Sequence, residues 1–109
     1  MSQIKYTITV YPKICMCGST RFKEEFLYWA RWLTLQGCIV TMPMVFGHAG
    51  DVISEEQKEA LDKLHKIKIE EADAIFVVNV DGYIGESTRS EIAYAQKLGK
   101  YIIYLEDID

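Results

Sequence analysis

Ala74-Ile75-Phe76-Val77-Val78 is an unbroken apolar run that leads through Asn79-Val80-Asp81 into Gly82-Tyr83-Ile84-Gly85-Glu86-Ser87-Thr88-Arg89-Ser90-Glu91-Ile92-Ala93-Tyr94-Ala95. The run reads as a fully buried strand, because a strand covered on both faces loses the polar alternation of a half-exposed one. The end of the stretch reads as a helix from about Thr88 to Leu98, stopped by Gly99. Ser87, Thr88 and Ser90 are all candidate N-caps, since a hydroxyl there accepts from an orphan helix N–H. Gly82 and Gly85 allow a sharp turn and a close approach of backbone to a ligand. In open parallel sheets, ligands bind at the carboxyl ends of strands, where such loops gather. A helix N-terminus there favours an anion such as phosphate.

Working outward, the same alternation recurs. Ile4–Val10 reads as a strand that Pro12 ends or confines to an edge. Lys13-Ile14-Cys15-Met16-Cys17 is a second short apolar run, closed by the turn Gly18-Ser19-Thr20-Arg21. Arg21 to Gln36 carries Phe22, Phe26, Trp29 or Ala30, and Leu33 at helical steps, with Gly37 as its stop. Trp29 and Trp32 fall on different sides of that helix. Cys38-Ile39-Val40-Thr41-Met42 is the next buried strand. Residues 44–54 are irregular, and Ser54-Glu55-Glu56-Gln57 is a capping-box pattern. The helix it opens runs to about Glu71, with Ala60, Leu61, Leu64, Ile67 and Ala72 expected inward and His65 and Lys68 flanking that face. Lys100 to Leu105 is the final strand. The β-α-β-α-β-α-β order after residue 12 predicts an α/β fold: three layers, flavodoxin-like or Rossmann-like, a parallel sheet with helices on both faces. Residues 4–10 are expected as an added antiparallel edge strand.

The chain has 109 residues, enough for one domain. Its 12 basic and 16 acidic side chains give a net charge of −4, which argues against a nucleic-acid polymer as partner but not against a small nucleotide. The expected partner is a nucleoside or nucleotide, with no membrane. Cys15, Cys17 and Cys38 do not form a disulfide framework. Cys15 and Cys17 are expected to project to opposite faces of their strand, and with only His48 and His65 besides, neither a metal nor any other cofactor is expected. No apolar leader segment and no membrane-length run is present, so a reducing cytoplasm is the expected compartment.

The strands ending at Cys17 and Val78 are expected to be neighbours, so that Gly18-Ser19-Thr20-Arg21 faces Gly82–Ser90. Backbone N–H groups, hydroxyls and guanidinium groups around a shared space suit a phosphate. The pattern is neither a Walker A loop nor a GxGxxG fingerprint. Taken singly, Gly18-Ser19-Thr20 reads as a turn with an N-cap, and Glu91 as a carboxylate matched to the helix dipole. Asp73 precedes a buried strand and so lies at the far end of the sheet. His48 and Asp51 lie on the loop after the second buried strand, on the site side.

Cys17-Gly18-Ser19-Thr20-Arg21, Ala72-Asp73-Ala74-Ile75-Phe76-Val77-Val78 and Gly85-Glu86-Ser87-Thr88-Arg89-Ser90-Glu91-Ile92 together resemble the nucleoside 2-deoxyribosyltransferase-like family, which includes the 2′-deoxynucleoside 5′-phosphate N-hydrolases. The resemblance runs from Lys13 to Leu105. It implies a flavodoxin-like sheet, a homodimer or larger oligomer, and cleavage of an N-glycosidic bond. It implies that Glu91 is the nucleophile, attacking C1′ to form a glycosyl-enzyme intermediate, as in retaining glycosidases. It assigns the 5′-phosphate to Gly18, Ser19, Thr20, Arg21, Gly85 and Ser87. The chain departs from the family pattern at two side chains: His65 stands at the usual aspartate and Cys15 at the usual tyrosine. Histidine at that place can serve as acid, since its ordinary pKa is near 6.5. His48 and Asp51 are candidates to touch sugar or base. No match exists for the C-terminal part with which the transferases complete a neighbour's site, so hydrolase is expected over transferase. A nucleotide sensor without turnover, and cleavage of the NAD glycosidic bond, are the other readings.

Overall fold

Ile14 to Cys17 and Ala74 to Val78 are apolar on both sides, and in the computed structural model, which describes residues 11–108, they lie side by side in the middle of the sheet. The elements run β1 (Lys13–Gly18), α1 (Lys23–Leu35), β2 (Ile39–Thr41), α2 (Glu55–Glu71), β3 (Ala74–Val78), α3 (Glu86–Lys97) and β4 (Tyr101–Tyr104), with short 3-10 turns at Thr20–Phe22, Gly47–Ala49 and Val80–Gly82. The four strands are parallel, in the order β2-β1-β3-β4. This is the flavodoxin-type order for the described strands, and its topological switch point falls between β1 and β3. The expected strand at residues 4–10 lies outside the described residues.

The two faces carry separate cores. On one, α1 packs Phe26 and Leu33 against Ile14, Met16, Phe76 and Val78. On the other, α2 and α3 pack Ile69, Ala72, Ile92 and Ala95 against Cys15, Cys17, Ile75 and Val77. Fully burying side chains such as Phe26, Ile69 and Ile75 contributes roughly 1.5–3 kcal/mol each. Trp29 stacks at a tilt on Phe76, whereas Trp32 is 45% exposed, as their places on α1 require. The capping box at Ser54 forms, with Ser54 Oγ accepting from Gln57 N and Gln57 Oε1 accepting from Ser54 N.

Four expectations need correction. The strand expected to be buried over Cys38–Met42 is the short outer strand β2 of the described sheet, with Ile39 50% exposed and Thr41 exposed. Cys15 and Cys17 do not point to opposite faces. Side chains alternate along a strand, so residues two apart share a face, and both thiols enter the α2–α3 side with no exposed surface. The inner face of α2 is rotated from the expected one. His65, Ile69 and Ala72 are buried, while Leu64 and Ile67 are 48% and 47% exposed. A histidine and an isoleucine one turn apart outcompete the leucines, because the strand beneath offers thiols for the imidazole to meet. Finally, α3 starts earlier than expected. Gly85, in extended conformation, is its N-cap, and Ser87, Thr88 and Ser90 lie within the helix. Thr88 is buried there at 3% exposure.

Two polar ties hold the α2–α3 layer. The Tyr94 hydroxyl donates to Glu70 Oε2, and Lys100 Nζ donates to Glu70 O at 2.9 Å. The first joins α2 to α3, and the second joins α2 to the segment that enters β4. At the other end of the sheet Asp73 Oδ2 accepts from Lys13 N at 2.9 Å. Asp73 is therefore a structural cap away from the switch point, as expected.

Candidate active site

Gly18 ends β1 where the backbone runs closest to β3. A Cβ at this position would sit 2.9 Å from Val78 O and 3.3 Å from Phe26, and its φ of +154° is rarely adopted by residues with side chains. Only glycine lets the chain turn here against β3. The next residue, Ser19, caps the following 3-10 turn: its Oγ accepts from Arg21 N at 3.3 Å and from Arg21 Nε at 3.1 Å. Arg21 then reaches across the switch point. Its guanidinium carbon lies 4.4 Å from the centroid of the Tyr83 ring, and Nη2 donates to the Tyr83 hydroxyl at 3.3 Å. Tyr83 in turn packs on Phe22 edge to face, and its hydroxyl comes so close to Gly85 that a Cβ there would lie 3.2 Å from it. The turn after β1 and the loop after β3 therefore do face each other, and an aromatic ring couples them.

The loop after β2 joins the same end of the sheet. His48 Nδ1 lies 2.9 Å from Thr20 Oγ1, and His48 N donates to that oxygen at 3.3 Å. Asp51 is directed differently. Its Oδ2 accepts from Phe46 N at 2.7 Å, so this carboxylate closes its own loop. Asp51 also lines a depression of about 520 Å³ with Val52, Ile53, Leu61 and Leu64. Ser87 is exposed in the first turn of α3, beside Gly85.

Beneath this rim lies a compact group of titratable side chains. His65 Nε2 lies 3.3 Å from Cys17 Sγ and 3.8 Å from Cys15 Sγ. The same nitrogen is 3.7 Å from Glu91 Oε1. Cys15 and Cys17 come from β1, His65 from α2 and Glu91 from α3, so three elements converge on one point. Sequence periodicity explains the convergence: His65 precedes Ile69 and Ala72 on one face of α2, and Glu91 precedes Ile92 and Ala95 in α3. The Glu91 side chain retains 17% exposure, against 9% for His65. Among the described residues, His65 Nδ1 is buried without a hydrogen-bond partner.

Burial dominates the protonation of Glu91. Desolvation raises its carboxyl from 4.5 to about 7; the charge of His65 opposes this, the charges of Cys15 and Asp62 add to it, and a Cys17 hydrogen bond opposes it. His65 is also shifted upward. Burial pulls it down, but its hydrogen bond to Cys15 and the charges of Glu91 and Cys15 outweigh that and a smaller opposing effect of Lys68. The two thiols are driven apart. A hydrogen bond from Cys17 holds Cys15 well below the ordinary thiol range against its own burial. Cys17, the donor in that bond and itself buried, is pushed up. Glu91 and Cys15 thus compete for the positive charge on His65, and near neutral pH the carboxyl is poised between its two forms.

The sequence named Glu91, His65 and the Gly18–Arg21 turn, and the structure brings these to the switch point. It missed Tyr83, although an aromatic residue between two glycines of the loop after β3 was a visible signal. It missed Cys15 and Cys17 as partners of His65, because the strand alternation was misjudged. No protein-family model and no curated protein matches the chain.

Proposed function

We propose that the protein is an N-glycosidase that cleaves the glycosidic bond of a (deoxy)ribonucleoside 5′-monophosphate, with Glu91 as nucleophile. The observation that carries the reading is the link between Arg21 and Tyr83, which joins the two loops on either side of the switch point, the second of which leads into the helix bearing Glu91. Gly85 caps that helix, and Glu91 lies six residues further on, about 9 Å along the axis. Helix side chains lean toward the N-terminus. A phosphate held at Gly85, Ser87, Ser19 and Arg21 would therefore leave its sugar within reach of the carboxyl. The backbone N–H groups of Thr20 and Gly18 belong to the same cradle.

In this reading the ionised Glu91 attacks C1′, the base leaves, and water resolves the glycosyl-enzyme. A carboxyl poised near neutrality suits that cycle, since it must accept negative charge in the free enzyme and lose it in the intermediate. His65 acts chiefly through Glu91: its Nε2 faces the carboxyl and the thiols, so its proton and charge govern how readily the nucleophile ionises. The depression lined by Asp51, Val52, Ile53, Leu61 and Leu64 offers an apolar wall for the base, and His48 and Asp51 are the candidates to touch sugar or base. Among the described residues no helix is long and apolar enough to cross a membrane, and a cytoplasmic location goes with this reading. A homodimer would cover the exposed Leu27, Tyr28, Trp32 and Leu35 of α1.

A nucleotide-binding module without turnover is the second reading. It is favoured by the packing of Glu91 against His65 and Cys17, which restricts the carboxyl. The deciding test is base release. Ribo- and deoxyribonucleoside 5′-monophosphates, the matching nucleosides and NAD are incubated with wild type and Glu91→Ala, and free base is followed by chromatography. Release from a monophosphate, lost in the variant, is the expected result. Absence of release from every compound, with a monophosphate still raising the melting temperature, would establish the binding module instead.

A further inference from the structure

The layer between the sheet and α2–α3 is built from Ile69, Ile75, Val77, Ile92 and Ala95, yet it encloses two thiols, an imidazole and a carboxyl at one point. Packing alone does not call for these groups, because apolar side chains of similar volume would fill the space without the cost of burying polar atoms. We infer that Cys15 Sγ, Cys17 Sγ and His65 Nε2 form a binding site for a thiophilic divalent cation of the zinc class, with Glu91 Oε1 as the fourth ligand.

The geometry supports it. The ligand atoms of Cys15, Cys17 and His65 all lie within 4.8 Å of one another. A tetrahedral ion with metal–sulfur bonds of about 2.3 Å and metal–nitrogen bonds of about 2.0 Å holds neighbouring ligand atoms roughly 3.5–3.8 Å apart. The separations from His65 Nε2 are 3.3 Å to Cys17, 3.8 Å to Cys15 and 3.7 Å to Glu91. His65 Nε2 therefore already stands at ligand-to-ligand distance from its three partners, whereas Glu91 Oε1, which falls outside the group of atoms within 4.8 Å of one another, swings toward the thiols as it becomes the fourth ligand. The ligands stand on a strand and two helices rather than on a loop, so the cage is preorganised. Two thiolates and an imidazole select zinc over magnesium or calcium, which take oxygen ligands. Binding places the imidazole proton on Nδ1 and releases the thiol protons to solvent. Nδ1 has no hydrogen-bond partner among the described residues, so the site lacks the usual outer support, and we expect it to bind about 10–100-fold more weakly than a fully supported structural zinc site. The least buried ligand, Glu91, marks the side on which an ion enters.

Cobalt reports the site without reference to catalysis. Reduced, chelator-treated wild type is titrated with Co²⁺, and absorbance is followed in the near ultraviolet and visible. The expected result is a thiolate-to-cobalt charge-transfer band with tetrahedral ligand-field bands, saturating near one equivalent and abolished by added Zn²⁺. Cys15→Ser and Cys17→Ser should each reduce the band and weaken binding at least tenfold, and Cys38→Ser should leave it intact. Absence of a charge-transfer band in folded wild type, or its retention in the Cys15→Ser/Cys17→Ser double variant, would overturn the inference. Should the cysteine variants fail to fold, wild type and His65→Gln are compared by thermal melting with Zn²⁺. A rise in melting temperature confined to wild type upholds the site, and an equal rise in both refutes it. This inference goes beyond the proposed reaction: loss of the glycosidase reading leaves the cobalt spectrum unaffected, and loss of the spectrum leaves base release unaffected.

Discussion

His65 Nε2 lies 3.7 Å from Glu91 Oε1, and the pair is buried beside Cys15 and Cys17. A carboxyl there is a nucleophile only while it is ionised, and burial holds it protonated up to about pH 7. In metal-free protein, kcat/KM for base release should therefore rise through about pH 7, where a surface glutamate would already have reached its plateau. It should fall again once His65, itself shifted upward by Cys15 and Glu91, loses its charge. Asp62 and Lys68 also face this group and are retained in the test. Glu91→Gln should lower kcat by about a thousandfold or more, as removal of a nucleophile does. A profile flat from pH 5 to 9 would contradict the assignment.

The same burial affects stability. Glu91 titrates higher in the folded chain than its ordinary 4.5, so the native state holds the proton longer than the unfolded one. This contribution is fully present below pH 4.5 and is lost as pH rises through about 7. Cys15, held down, works in the opposite direction, so the difference between proteins is the informative quantity. Relative to wild type, Glu91→Gln should gain about 2–3 kcal/mol between pH 4 and pH 8. Urea denaturation of both proteins with chelator, at both pH values, measures it. A difference independent of pH would show that the carboxyl is not desolvated.

Arg21 stands over Tyr83 with its Nε bonded to Ser19. Charge-assisted hydrogen bonds to phosphate are worth about 1.5–3 kcal/mol. Arg21→Ala should therefore raise KM for a nucleoside monophosphate roughly 10–100-fold, and leave the low activity on the matching nucleoside nearly unchanged. Tyr83→Phe, which keeps the ring under the guanidinium and removes only the 3.3 Å hydrogen bond, should cost severalfold at most. Equal losses on nucleotide and nucleoside would move the phosphate away from this turn.

Much of this arrangement was legible in the chain. Ala74–Val78 and the glycine loop after it established the parallel sheet, because a buried strand feeding directly into a helix leaves few alternatives. Helix periodicity placed Phe26 and Leu33 correctly. It failed in α2, where Leu64 and Ile67 outnumber His65 in hydrophobicity but the partner surface decides which face is buried. The contact between Tyr83 and Arg21 joins residues 62 positions apart, and such long-range pairs leave no local trace. The cluster of Cys15 and Cys17 with His65 is long-range in the same way, 50 and 48 positions apart.

Gly18 tests how much of the site depends on the close run of β1 past β3. A Cβ would meet Val78 O at 2.9 Å, backbone on backbone, where neither strand can yield without breaking the register from Gly18 to Val78. Its φ of +154° adds strain for alanine. Gly18→Ala should lose about 1–3 kcal/mol of stability. It should also displace Ser19 and Arg21, so that nucleotide KM rises as well. A neutral effect on denaturation would mean that the strands part more easily than their pairing suggests.

The last expectation couples the proposed reaction to the proposed metal site. An ion on His65 Nε2 and Glu91 Oε1 displaces the proton through which His65 supports the nucleophile, and it ties up the carboxylate itself. Zinc should therefore inhibit base release without competing with nucleotide for the phosphate turn: kcat falls, while KM for the monophosphate stays within about twofold. Chelator should restore the rate, which separates coordination from thiol oxidation. Cys17→Ser, short of one thiolate, should require at least tenfold more zinc for the same fractional loss of its own metal-free rate. Activation by zinc, or inhibition unchanged in Cys17→Ser, would show that the ion and the nucleophile do not share this site.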